Sequence, residues 1–189
     1  MSSGHKAAGV VLAAGAGTRY GMPKVLADQG SWLRAAVAAL HGGGCDDIVV
    51  VLGAAQVDVP APARAVPAED WAQGLSASLR AGIAAIDAEL AVISLVDTPD
   101  VGADAVRRVL TTAASATGLA RAVYDGRPGH PVVIARRFWP ALLAALHGDT
   151  GAAPFLRGRT DVVEVECGDL ATGLDVDERL REERETDER

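Results

Sequence analysis

Short, unbroken apolar runs alternate with amphipathic stretches along the first two thirds of the chain. Residues 9–13, 48–52 and 91–96 are continuous apolar runs of strand length, as expected of strands buried on both faces. The segments between them carry a helical period. Ser31 opens a helix over 32–41 that closes at Gly42-Gly43-Gly44. Residues 74–86 place Leu75, Leu79, Ile83 and Ile86 on one helical face, and Asp100 is positioned to cap a helix over 103–113. Pro60, Pro62 and Pro67 make 57–70 a loop, with a short strand at 64–66. Strand and helix in alternation predict an α/β fold, a mostly parallel sheet with helices on both faces.

The last third changes character. Strands over 120–124 and 131–135 flank a loop, "DGRPGH". Helices over 137–146 and 150–156 follow, and then strands over 161–166 and 170–174. These elements read as a small β-containing region on the edge of the same sheet. Residues 1–189 are therefore expected to form a single domain, with about 178–189 as a charged tail, a short surface helix that frays.

Composition narrows the setting. Hydrophobic residues make up 49% and charged residues 23%, a globular balance, and no apolar run approaches the ~18 residues of a membrane span. The first six residues lack the apolar core of a signal peptide, and Cys45 and Cys167 are too few and too far apart for a disulfide framework, so a cytoplasmic protein is expected. The formal net charge of −7 argues against a nucleic-acid partner. More than half of it lies in residues 175–189, which hold eight acidic and four basic side chains.

The candidate chemistry sits just beyond the carboxyl ends of the strands, where ligands bind such sheets. "LAAGAGTRYGMPK" combines glycines, whose successive N–H groups form an anion nest, with Arg19 and Lys24. Its spacing fits neither a dinucleotide fingerprint nor a Walker loop. Three residues rather than two separate Gly17 from Gly21, no carboxylate ends strand 48–52, and no Gly-Lys-Ser/Thr is present. A triphosphate suits the loop better. Asp97, directly after strand 91–96, either caps the next helix or holds a hard cation such as Mg²⁺, with Asp175 or Asp177 as a second carboxylate. Gly74 and Ser76 open a helix and serve either as ordinary caps or as donors to a base or ribose. His130 lies on a loop, structural or ligand-facing, while His5, His41 and His147 show no partner pattern.

Together these segments resemble the MobA-like nucleotidyltransferases, and within them the molybdenum cofactor cytidylyltransferase type. The resemblance rests on "LAAGAGTRYGMPK", "WAQGLSASLRAG", "SLVDTPDV", "GRPGHPVVI", "LHGDTGAAPFL" and "LDVDE", in that order along nearly the whole chain. It implies a glycosyltransferase-A type fold and transfer of a nucleotidyl group from an NTP to a phosphorylated acceptor, with pyrophosphate released. By position, Leu12, Ala13, Ala14, Gly15, Gly17, Thr18, Arg19 and Lys24 would hold the triphosphate, with Lys24, Arg19 and Asp97 as the catalytic set. Gly74 and Ser76 would approach the base and ribose, and His130 would lie near the acceptor. Asp97, with Asp175 or Asp177, would bind Mg²⁺. In this family Ala-Ala-Gly tends to accompany CTP, which makes CTP the expected nucleotide, molybdenum cofactor the expected acceptor and a molybdenum enzyme the expected recipient. Actinobacterial members called nicotine blue oxidoreductases are also similar to this chain, so a nicotinamide-dependent reductase is a second expectation. A non-catalytic nucleotide-binding protein is a third.

Overall fold

Every residue of β1 (Ala7–Leu12) is buried, because the strand lies at the centre of a sheet covered on both sides. The computed structural model of the protein describes residues 6–176. Seven strands form one sheet in the order β3-β2-β1-β4-β6-β5-β7, built from β1, β2 (Asp47–Leu52), β3 (Arg64–Pro67), β4 (Leu90–Leu95), β5 (Leu119–Tyr124), β6 (Arg127–Ala135) and β7 (Val163–Glu166). β1 pairs in parallel with β2 and β4, β2 with β3, and β5 with β7. Among the described strands only β6 is reversed, antiparallel to both β4 and β5. The sheet is thus mostly parallel, and β5, β6 and β7 extend it.

Strand alternation divides the core in two. Val11, Ala13, Val50, Leu52 and Val92 face α1 (Ala27–Gly43) and α3 (Ala103–Ser115). Val10, Leu12, Val49, Val51 and Ile93 face α2 (Leu75–Ala84), α4 (Trp139–Ala145) and α5 (Ala153–Leu156). Each fully buried Val, Leu or Ile contributes roughly 1.5–3 kcal/mol of transfer free energy, so sheet burial is the main force holding the carboxyl ends of β1, β2 and β4 in one line.

Several local expectations are corrected. The expected loop "DGRPGH" contracts to a two-residue turn, Asp125 (φ 51°) and Gly126 (φ 77°), because β6 begins at Arg127. Pro128 and Pro131 are tolerated there: β4 pairs with β6 only as far as Val132, and β5 shifts register between Arg121 and Val123. Residues 170–174 are not a strand. They follow a turn in which Leu170 and Ala171 donate to the carbonyl of Cys167 at 2.9 and 3.2 Å. Asp100 does not cap α3, whose N-cap is Gly102; its carboxylate accepts from Thr172 instead. Ser31 likewise donates to Asp28, after three left-handed residues, Asp28, Gln29 and Gly30, that open α1. A 3-10 turn, Arg136–Phe138, precedes a shorter α4 than the sequence suggests. Asp177 and the expected tail helix lie outside the described residues.

Candidate active site

The chain leaving β1 remains tied to its neighbours for two residues. Ala13 N–H donates to Val51 O at 3.1 Å, and Ala54 N–H to Ala14 O at 3.0 Å. It then turns back over the sheet edge. Gly17 has φ +62° and its carbonyl accepts from Gly21 N–H at 2.8 Å; a Cβ there would stand 1.9 Å from Met22 O, so no side chain fits. Tyr20 is buried against Trp32 of α1, ring centroids 5.4 Å apart, which pins the loop to the α1 side and leaves Thr18 and Arg19 exposed.

This loop forms one wall of a cavity of about 680 Å³. Leu12, Ala13, Ala14, Gly15, Gly17, Thr18, Arg19, Lys24, Gly74 and Asp97 all line it. Lys24 reaches across the cavity, and its Nζ stands 2.8 Å from Asp97 Oδ2, both side chains more than four-fifths buried. The other carboxylate oxygen, Asp97 Oδ1, is buried and has no hydrogen-bond partner among the described residues. A buried acceptor left without a donor costs about 1–3 kcal/mol, and a cation would remove that cost. The residues therefore fit a hard divalent ion. Among the described residues no three His, Cys, Asp or Glu cluster to make a complete metal cage. Asp175 is next to Val176, whose N–H donates to Asp97 O at 2.9 Å, so the backbone there runs beside Asp97, while Asp175 itself is exposed and outside the cavity lining.

The opposite wall comes from the start of α2. Gly74 has φ +107°, and a Cβ there would meet Gly148 O at 2.6 Å. The loop around Gly148 braces the helix start: Ser76 N–H donates to Gly148 O and Leu75 N–H to Asp149 Oδ1, each at 3.2 Å. Ser76 and Ser78 are both buried, but only Ser78 lines the cavity, a correction to the sequence expectation of Ser76. Ser78 lies four residues beyond Gly74, and helical spacing was the signal that could have selected it. Trp71, Tyr20 and Asp149 also line the cavity without a local signal in the sequence. Asp149 arrives with "LHGDTGAAPFL", so that motif meets the helix start.

His130 lies outside the cavity lining, half-buried near the start of β6, and its carbonyl accepts from Tyr124 Oη at 2.6 Å. Burial pushes its imidazole down to about 4, against the upward pull of Asp175, so the ring is neutral at pH 7. It offers a hydrogen bond rather than a charge. Cys45 is buried and its thiol is pushed up to about 12 by burial, with Asp46 adding to the shift; Cys167 is also buried and raised, so neither is a thiolate at neutral pH. No helix among the described residues is long and apolar enough to cross a membrane.

Known proteins resemble this chain over most of its length. The MobA-like NTP transferase domain model matches residues 9–164. A protein of Paenarthrobacter nicotinovorans named nicotine blue oxidoreductase is 37% identical over 186 residues, covering 89% of this chain and 91% of that one. The manganese complex of Rv0371c from Mycobacterium tuberculosis aligns with a TM-score of 0.68 and 27% identity, over 90% of this chain and 94% of that one. A nucleotidyl transferase from Methanothermobacter shares the fold, with a TM-score of 0.76 and 20% identity over 97% of both chains.

Proposed function

The chain belongs to the MobA-like NTP transferase family, and on that premise we propose that it is a Mg²⁺-dependent cytidylyltransferase of the cytoplasm. It would transfer CMP from CTP to a phosphorylated acceptor, molybdenum cofactor or a close analogue, for delivery to a molybdenum enzyme. The observation that carries the reading is the cavity in which a glycine loop, Lys24 and a half-satisfied Asp97 converge. A cation donor and a carboxylate with a vacant oxygen, set opposite an anion nest, suit a metal-bound triphosphate.

In the proposed reaction an oxygen of the acceptor phosphate bonds to the α-phosphorus as the bond from that phosphorus to the α,β-bridging oxygen breaks. Pyrophosphate leaves with the electron pair. The loop N–H groups and Arg19 hold the phosphates, and Lys24 faces the charge that grows on the leaving group. Asp97 and Asp175 are the ligands proposed for the divalent ion, which when bound neutralises phosphate charge. Gly74, Leu75 and Ser78 form the wall assigned to base and ribose. His130, neutral, is assigned a hydrogen bond to the acceptor.

The name of the Paenarthrobacter relative favours a second reading, a nicotinamide-dependent reductase. Against it, β2 ends at Leu52 and runs into Gly53-Ala54 without a ribose-binding carboxylate, and Trp71 packs so closely on Gly53 that a Cβ there would meet its ring at 2.5 Å. One experiment separates the two. The protein is offered Mg²⁺, each NTP and reduced molybdopterin, and pyrophosphate is followed; in parallel, NADH and NADPH oxidation is followed with a quinone-like dye. Pyrophosphate release, fastest with CTP and abolished by EDTA, is the expected result. Nicotinamide oxidation that survives EDTA and Asp97→Asn would overturn it, and nucleotide binding without either reaction would leave a non-catalytic binder.

A further inference from the structure

We propose that Asp100 is a positioning residue for this site, clasping Thr172 so that the following chain crosses the end of β4 and presents Asp175 beside Asp97. The proposal rests on the reading of Asp97 as a cation ligand. Asp100 stands three residues beyond Asp97, and one carboxylate oxygen, Oδ2, accepts both the backbone N–H and the hydroxyl of Thr172, each at 2.6 Å. The carboxylate is not occupied with the helix that follows, since α3 has Gly102 as its N-cap and no side-chain cap.

Two further ties define the course of residues 172–176. Gly173 has φ +62° and packs so closely on Tyr124 that a Cβ would lie 2.1 Å from the ring; Tyr124 is itself held by its bond to His130 O. Val176 N–H then donates to Asp97 O at 2.9 Å. Only Leu174 and Asp175 lie between these ties, so Asp175 has little room to wander. Burial does not hold the segment. Thr172, Leu174 and Asp175 are exposed, with Leu174 at 49%, and no regular secondary structure is present. Polar clasps, with the ring contact at Gly173, are what remain to fix it, and the Asp100–Thr172 pair makes two of those bonds.

The test measures Mn²⁺ binding to the full chain by electron paramagnetic resonance, with melting temperatures recorded alongside. Asp100→Ala is expected to weaken Mn²⁺ binding about tenfold, while Asp100→Asn, which keeps an acceptor oxygen, stays within about threefold of wild type. Thr172→Val should weaken binding in the same direction, and the Asp100→Ala/Thr172→Val double variant should be no worse than Asp100→Ala alone, the signature of a shared interaction. Should Asp100→Ala fold poorly, Thr172→Val at its exposed position carries the readout. Wild-type Mn²⁺ affinity in folded Asp100→Ala or Thr172→Val, or strictly additive losses, overturns the proposal. Asp97→Asn distinguishes the levels. If it abolishes binding while the clasp variants do not, the clasp alone fails; if it leaves binding intact, the cation reading fails and the clasp falls with it.

Discussion

At the scale of single residues, the site turns on Asp97 and Lys24. Asp97→Asn removes the carboxylate proposed to hold the divalent ion and should lower the transfer rate by on the order of 10²-fold or more. Its melting temperature should move by only a few degrees, because one ion pair is lost and no packing is disturbed. Steady-state pyrophosphate release and calorimetry check both; a collapsed melting temperature with normal turnover would make Asp97 a structural residue. Lys24→Ala is expected to lower kcat by about 10²-fold with a smaller change in KM, since its charge is assigned to the transition state. An unchanged kcat with raised KM would reduce Lys24 to a binding residue. Both positions were legible in the sequence, Asp97 because it directly follows a buried run and Lys24 because it closes a glycine loop. The choice of Ser76 was not, since it depends on the direction in which α2 is held by a loop more than 70 residues away.

At the scale of elements, the brace between the start of α2 and the loop around Gly148 fixes one wall of the cavity. Gly74→Ala places a side chain at φ +107° and forces Gly148 away, breaking the two bonds made by Leu75 and Ser76. Left-handed strain and displacement together should cost about 2 kcal/mol, a fall in melting temperature of roughly 4–8 °C, and should raise KM for the nucleotide. Gly102→Ala is the control: its φ is −95° and an added Cβ meets nothing within 4 Å, so it should be near neutral in both measurements. Buried strands and the α2 pattern were readable from apolar runs and helical spacing alone. β6 was cut short in that reading because Pro128 and Pro131 signal a loop locally, whereas the strand tolerates them where β4 has stopped pairing and β5 shifts register. The role of Asp100 was hidden for a related reason: a carboxylate before a helix looks like a cap until the segment that competes for it is placed.

For the molecule as a whole, stability carries the imprint of its buried thiol. Cys45 is 1% exposed and its pKa rises from 9.0 to about 12 in the fold. The unfolded chain therefore releases this proton first, and the folded state loses stability as pH climbs from 9 towards 12, by about 1.4 kcal/mol per pH unit. Denaturant titrations across that range should show a steeper decline for wild type than for Cys45→Ala; parallel curves would mean that the thiol titrates normally. A second consequence concerns how the protein meets its ligands. The ion pair of Lys24 and Asp97 sets a positive charge beside the carboxylate oxygen proposed for the divalent ion, so a free cation meets repulsion there. A metal-laden nucleotide has no such handicap, because its phosphates offer the lysine a replacement partner. On the proposed reading such a cleft would act as a partial coincidence gate, holding a free cation weakly and a metal-laden nucleotide more tightly. Lys24→Met should accordingly bind Mn²⁺ without nucleotide about tenfold more tightly than wild type, and equal affinities in a Mn²⁺ titration would mean the gate is not there.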